Sequence, residues 1–308
     1  MNNKYINDIL KLKQEKNAVI LCHYYQTGDI QDIADFLGDS LALAQAAKNT
    51  NADIILFAGV KFMADTAKIL NPDKKVLLPD INAGCSLADS CPENKFKEFL
   101  KLYPNHTVIS YINTSTEIKA LSDVLCTSSN AVKIVESFNK EEKLIFAPDK
   151  NLGNYINSLT GRNMVLWNGA CHVHERFSID KILKLKIEYP NSKFIAHPEC
   201  TKPILILADY IGSTTALLDF TKKDKSNSYI VATESGIIHQ MKLANPMKDF
   251  IPAPPSDNSC ACNDCSFMKL ITLEKIFNSL KNEEPEIKIQ EELRLRALKP
   301  LIRMLELS

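Results

Sequence analysis

Unbroken apolar runs, rather than alternating ones, set the rhythm of this chain. Ala18-Val19-Ile20-Leu21-Cys22, Ile54-Ile55-Leu56-Phe57-Ala58, Leu144-Ile145-Phe146-Ala147 and Ile230-Val231-Ala232 are each about the length of a strand, and too short for an ordinary helix. Strands that are apolar on both faces belong to parallel sheets with helices above and below. Helical patterns fill the gaps between them, at 41–48, 60–70, 130–138 and 215–220. The expected class is α/β.

The pattern repeats. Three apolar runs end in a polar or aromatic group: Cys22-His23-Tyr24-Tyr25, Ser110-Tyr111-Ile112-Asn113 and Ala196-His197-Pro198-Glu199. His23 to Tyr111 is 88 positions, and Tyr111 to His197 is 86. Seventeen residues beyond each anchor stand Ser40, Ser128 and Thr214, so the same offsets recur at a second landmark. A further strand closes each unit, at Val76-Leu77-Leu78-Pro79, Met164-Val165-Leu166-Trp167 and Phe250-Ile251-Pro252-Ala253, with cysteine a few residues on. Internal periodicity of this kind means a repeated supersecondary unit. The expected architecture is three pseudo-threefold-related α/β/α sandwich units with short parallel sheets around a central site. The units are 1–86, 87–172 and 173–265. The tail, 266–308, carries helical patterns at 268–280 and 291–307 and a short strand at 285–289, and is expected to fold back on the first unit.

Composition narrows the function. Basic and acidic residues number 37 each, which gives no basic footprint for nucleic acid or for a lipid surface. No charged segment followed by an apolar one opens the sequence, and no apolar run approaches bilayer length, so a soluble cytoplasmic protein is expected. Nine cysteines are then notable, because a reducing compartment disfavours structural disulfides. Cys22, Cys126 and Cys200 lie in apolar or strand-end contexts that suit small buried hydrophobes.

Cys85, Cys171 and Cys265 are separated by 86 and 94 residues, a spacing no local metal motif uses. The repeat would bring one cysteine from each unit to the axis. Soft thiolates select iron–sulfur clusters, zinc or copper(I). Three ligands on a four-iron cubane would leave one iron open as a Lewis acid. A local reading competes: Cys260, Cys262 and Cys265 form a Cys-x-Cys-x-x-Cys run that would suit structural zinc, and Cys262 is an alternative third ligand. Cys91 is a further candidate ligand.

Ser40, Ser128 and Thr214 stand where loops enter helices, which is ordinary N-cap chemistry when taken singly. Taken together they set helix N-termini around one point, and such termini attract carboxylate or phosphate. His23, Tyr25, Tyr111, Asn113, His197 and Glu199 form a second ring at strand ends, with His197 and Glu199 spaced to share a face for proton transfer. His172, His174 and Glu175 follow Cys171 without zinc-protease spacing, so one histidine is expected to orient the cysteine loop or to touch substrate.

The ordered set Gly38-Asp39-Ser40, Cys126-Thr127-Ser128, Gly169-Ala170-Cys171-His172-Val173-His174-Glu175, His197-Pro198-Glu199-Cys200, Gly212-Ser213-Thr214 and Thr233-Glu234-Ser235-Gly236 resembles the quinolinate synthase family over nearly the whole chain. The resemblance implies condensation of iminoaspartate with dihydroxyacetone phosphate to quinolinate, with loss of phosphate and water, in NAD biosynthesis. It implies one 4Fe–4S cluster on Cys85, Cys171 and a terminal cysteine, Cys265 by its position before Ser266-Phe267-Met268, with one open iron. His23, Ser40, Tyr111, Asn113, Ser128, His197, Glu199 and Thr214 would line the substrate pocket. Tyr25 and Glu199 would move protons, with His23, Tyr111 and His197 as further catalytic candidates. L-aspartate oxidase would supply the imine. Two other readings stay open: a cluster-dependent hydro-lyase acting on a different small dicarboxylate, and a non-catalytic metal or redox sensor with a fully ligated metal.

Overall fold

A computed structural model describes residues 2–257 and 263–308. The chain forms three parallel four-stranded sheets. The first contains β1 (Ala18–His23), β2 (Phe36–Gly38), β3 (Ile54–Ala58) and β4 (Lys75–Leu77). The second contains β5 (Thr107–Tyr111), β6 (Val124–Cys126), β7 (Leu144–Ala147) and β8 (Val165–Leu166). The third contains β9 (Lys193–Ala196), β10 (Tyr210–Ile211), β11 (Ser228–Ala232) and β12 (Asp249–Pro252). All three share one strand order, β2-β1-β3-β4 in the first and its equivalents in the others. The repeat is therefore structural, and the α/β class is as expected.

Each unit has one strand more than the apolar runs indicated. β2, β6 and β10 are only two or three residues long, too short to display a period, although β6 is apolar and fully buried. A carboxylate pins each of them to the central strand. Asp35, Asp123 and Asp209 accept the backbone N–H of Ile20, Val108 and Phe194, each at 2.7 Å and each fifteen residues upstream. The aspartate N–H groups return the bond to the same three residues. Directly opposed exchange of this kind fixes the register of strands too short to fix it by packing.

Sheets in this order reverse direction of winding between the first and third strands in sequence, and ligand crevices open beyond the carboxyl ends at that point. In each unit those ends are β1/β3, β5/β7 and β9/β11. His23, Tyr111 and His197 stand at these ends, while Ser40, Ser128 and Thr214 follow β2, β6 and β10, and Cys85, Cys171 and Cys265 follow β4, β8 and β12.

The tail departs from a simple helix–strand–helix pattern. Residues 268–280 divide into a 3-10 turn at Met268–Leu270 and a helix at Leu273–Asn282, whose N-cap Thr272 accepts the Lys275 N–H. Near Pro285 only an isolated bridge forms, between Glu286 and Leu77. Helix Leu273–Asn282 lies on helix Asn2–Glu15, while Glu291–Leu307 crosses Thr116–Ala120, β6 and Lys61–Leu70. One continuous core accordingly runs through the first sheet, one face of the second and the tail, whereas the other face of the second sheet and each face of the third have separate cores. No helix among the described residues is long and apolar enough to cross a membrane.

Candidate functional site

The crevices of the three sheets meet in one cavity. All twelve site residues singled out from the sequence line it: Cys85, Cys171 and Cys265; His23, Tyr25, Tyr111, Asn113, His197 and Glu199; and Ser40, Ser128 and Thr214. Cys260 and Cys262 lie outside the described residues. Cys91 is elsewhere, buried with Phe96 and Val108 beneath the second sheet. The seven described cysteines are all free thiols.

Burial governs the three cavity cysteines. It pushes the Cys85 thiol up to about 12 and that of Cys265 up to about 11, and raises Cys171 as well. Cys171 also feels the other two thiols, and Cys85 feels Cys265, so a thiolate at one disfavours a second. Three half-buried thiols lining one cavity resist joint ionisation, which the positive charge of a bound metal would favour. Their loops are tied together: Ser86 Oγ is 2.6 Å from Nδ1 of His172, and Asn263 Nδ2 donates to the Val173 carbonyl. His172 thus joins the first two cysteine loops. Cys171 also shares a corner with His174 and Glu199, their ligand atoms all within 4.8 Å of one another, so the cavity holds a group able to bind a metal.

The hydroxyls are not helix caps. Asp39 and Ser213 take that role, accepting from the Ala42 and Ala216 N–H groups. Ser40 and Thr214 are thereby left at the first helical position with hydroxyls not spent on capping, and Oγ1 of Thr214 lies 3.0 Å from the Tyr25 hydroxyl. The caps interlock instead: Ser129 Oγ lies 2.7 Å from Asp39 Oδ2 and 2.9 Å from Ser213 Oγ, and Thr215 Oγ1 lies 2.8 Å from Asp39 Oδ2.

The histidines repeat one local device. The Tyr25 N–H donates to Nδ1 of His23 at 3.2 Å, and the Glu199 N–H donates to Nδ1 of His197 at 3.3 Å. An Nδ1 that accepts forces the proton onto Nε2 in a neutral ring. Neutrality follows from burial, which lowers His23 to about 4 and His197 to about 3. Nε2 of His197 lies 3.3 Å from Ser128 Oγ.

Glu199 is a carboxylate held between these groups. Burial opposes its charge, but His174, His197 and a bond from the Tyr111 hydroxyl outweigh that and keep it below the usual carboxylate range. The Tyr111 hydroxyl donates to Oε1 at 2.6 Å, and Nδ1 of His174 is 3.2 Å from Oε2. Burial, then the Glu199 charge, raises both Tyr111 and Tyr25 well above the ordinary phenol value.

Two participants carried no role in the sequence reading. Thr233, at the end of β11, bridges Tyr25 and His174 through its hydroxyl, at 2.8 and 3.0 Å. Glu234, next to it, faces the Cys265 loop. Their place just beyond the third unit's second apolar run was the available signal, since ligand crevices form there.

Residues 7–306 match the family model described as quinolinate synthetase A protein. A quinolinate synthase of Thermosynechococcus vestitus is 60% identical over 97% of this chain and 94% of its own length. That of Nostoc punctiforme is 61% identical, covering 97% and 92%, and that of Chloroherpeton thalassium is 59% identical, covering 98% and 94%.

Proposed function

This chain belongs to the quinolinate synthase family, an enzyme family of NAD biosynthesis, and from that membership we propose how the cavity divides the work. The substrates are iminoaspartate and dihydroxyacetone phosphate, and the products are quinolinate, phosphate and water. The observation that carries this reading is the meeting of three thiols, an anion-binding set of hydroxyls and an acid–base pair in one cavity.

Cys85, Cys171 and Cys265 would hold a 4Fe–4S cluster. The donor set fits: three free thiols come from three loops, with no fourth cysteine beside them among the described residues. His174 and Glu199 are engaged with Thr233 and Tyr111, which leaves the thiols as the soft ligands. When bound, such a cluster supplies a Lewis-acidic iron that assists loss of hydroxide.

The remaining work falls to the chain itself. Ser40, Ser128 and Thr214, with Asn113, would bind carboxylate and phosphate oxygens, helped by the N-termini of helices Ser40–Asn49 and Thr214–Lys223. His23 and His197 would donate from Nε2, stabilising developing negative charge without adding a full positive one. Glu199 is held ionised and would take a proton at a carboxylate oxygen, while Tyr25 and Tyr111 stay protonated and would give one. These are the transfers that enolisation, imine formation and dehydration require.

The proposed units are 1–86, 87–172 and 173–265 with the tail 266–308, and the proposed compartment is a reducing cytoplasm, consistent with the free thiols. L-aspartate oxidase is the proposed source of the imine. Anaerobic incubation of iron-loaded protein with both substrates tests the reading. Quinolinate and phosphate should form together in equal amounts; a loaded protein that yields neither would refute it.

A further inference from the structure

Glu234 is fully buried just beyond β11, and its two carboxylate oxygens face different partners. Oε1 accepts the Cys265 N–H at 3.1 Å and lies 2.8 Å from Nζ of Lys269, while Oε2 accepts the Gly236 N–H at 2.7 Å. Lys269 donates its backbone N–H to the Cys265 carbonyl at 3.1 Å, and its Nζ donates to the Tyr25 carbonyl at 2.7 Å. Glu234 therefore holds the Cys265 N–H directly, and its ion-pair partner Lys269 lies four residues on, where its main chain takes the Cys265 carbonyl. The same pair reaches the turn of the first unit that carries Tyr25.

The repeat explains why this loop needs a side-chain clamp. In the first two units a backbone bond holds the cysteine loop to the crevice, from Lys61 N–H to the Ala83 carbonyl at 2.7 Å and from Lys150 N–H to the Gly169 carbonyl at 2.8 Å. Each acceptor lies two residues before its cysteine. The third cysteine falls outside that register, 94 rather than 86 residues on. Among the described residues no backbone bond reaches the Cys265 loop from the end of β11. Ser235 stands where that bond would begin, three residues past β11 as Lys61 and Lys150 are past β3 and β7, and Glu234 immediately precedes it. Burying a charge pair is a poor way to add stability, since desolvation offsets the attraction, but it specifies geometry well.

We infer that Glu234 and Lys269 are positioning residues for Cys265, setting its thiol at the cavity and holding it in fixed relation to Tyr25. This rests on the proposed role of Cys265 as a cluster ligand. Partners that orient a metal ligand characteristically change metal retention when removed.

The test is the rate at which anaerobically loaded protein gives up iron to a chelator, with the melting temperature of the metal-free chain as the check on folding. Glu234→Ala and Lys269→Met should release iron about tenfold or more faster than wild type. Glu234→Gln, whose amide oxygen still accepts the Cys265 N–H, should stay nearer to wild type. Should Glu234→Ala fail to fold, Lys269→Met decides, because its side chain is partly exposed. Folded Lys269→Met that keeps iron at the wild-type rate overturns the inference and leaves the functional reading intact. A wild-type chain that takes up no iron and sulfide overturns both.

Discussion

The Thr233 hydroxyl stands 2.8 Å from that of Tyr25 and 3.0 Å from Nε2 of His174, so one threonine joins the first unit's tyrosine to the histidine facing Glu199. With the Tyr111 bond to Glu199, a polar chain runs Tyr25, Thr233, His174, Glu199, Tyr111 across all three units. Valine at 233 keeps the shape of threonine and removes the link. Thr233→Val should lower kcat about tenfold or more with KM little changed, since general acid–base assistance is worth roughly 10²–10⁴-fold when wholly lost. Thr233→Ser should restore it. Steady-state kinetics on loaded protein decides; wild-type kcat in the valine variant removes the link from catalysis.

Glu199→Gln should retain the cluster's visible absorbance and lose about 10²-fold or more in turnover, because an amide cannot take the proton. Tyr111→Phe should act in the same direction but less severely, since it removes only one donor to the carboxylate. Paired absorbance and activity measurements check both, and wild-type turnover in Glu199→Gln would remove this residue from the mechanism.

His23 makes stability depend on pH with a definite sign. Its folded value is lowered to about 4 from an ordinary 6.5, chiefly by burial. Between those values the unfolded chain binds a proton that the folded chain refuses, so this histidine's contribution is intact above about pH 6.5 and is lost as pH falls toward 4. His23→Asn cannot titrate there. The stability gap between wild type and His23→Asn, followed by denaturant unfolding of the metal-free chain, should shift against wild type on acidification from pH 7 to pH 4.5. A gap that stays constant across that range contradicts the assignment of a buried neutral ring.

Gly236 marks the contact between the first and third units. A Cβ there would stand 2.8 Å from the carbonyl oxygens of Tyr24 and Gln26, which are backbone atoms with little room to yield. The Gln31 side-chain amide binds those two carbonyls and that of Gly236 together. Gly236→Ala should cost about 1–3 kcal/mol, as overpacking typically does, and displace Tyr25. Melting temperature and kcat should both fall; an unaltered melting temperature would contradict a rigid contact at this position.

The threefold plan was legible because His23, Tyr111 and His197 end strands whose apolar runs are buried on both faces, and the same offsets recur at Ser40, Ser128 and Thr214. β2, β6 and β10 were not, because two or three residues display no period. Their signature is polar instead, an aspartate fifteen residues after its backbone partner within the first strand of each unit. The hydroxyls at 40 and 214 looked like caps, yet Asp39 and Ser213, one position earlier, cap those helices. Nor did local pattern reveal what Thr233 and Glu234 do. Their partners Tyr25 and Cys265 lie 208 and 31 residues away, and only the packing of the first unit and the tail against the third brings them into reach.

Iron and sulfide content per chain, measured on anaerobically purified wild type and on Cys85→Ser, Cys171→Ser, Cys265→Ser and Cys91→Ser, tests most directly whether three thiols from three loops hold one cluster. The account predicts matched iron and sulfide in wild type and in Cys91→Ser, whose thiol is buried in a separate core, and severe loss in each of the other three. Full iron and sulfide in any one of those three, or zinc without sulfide in wild type, would contradict it.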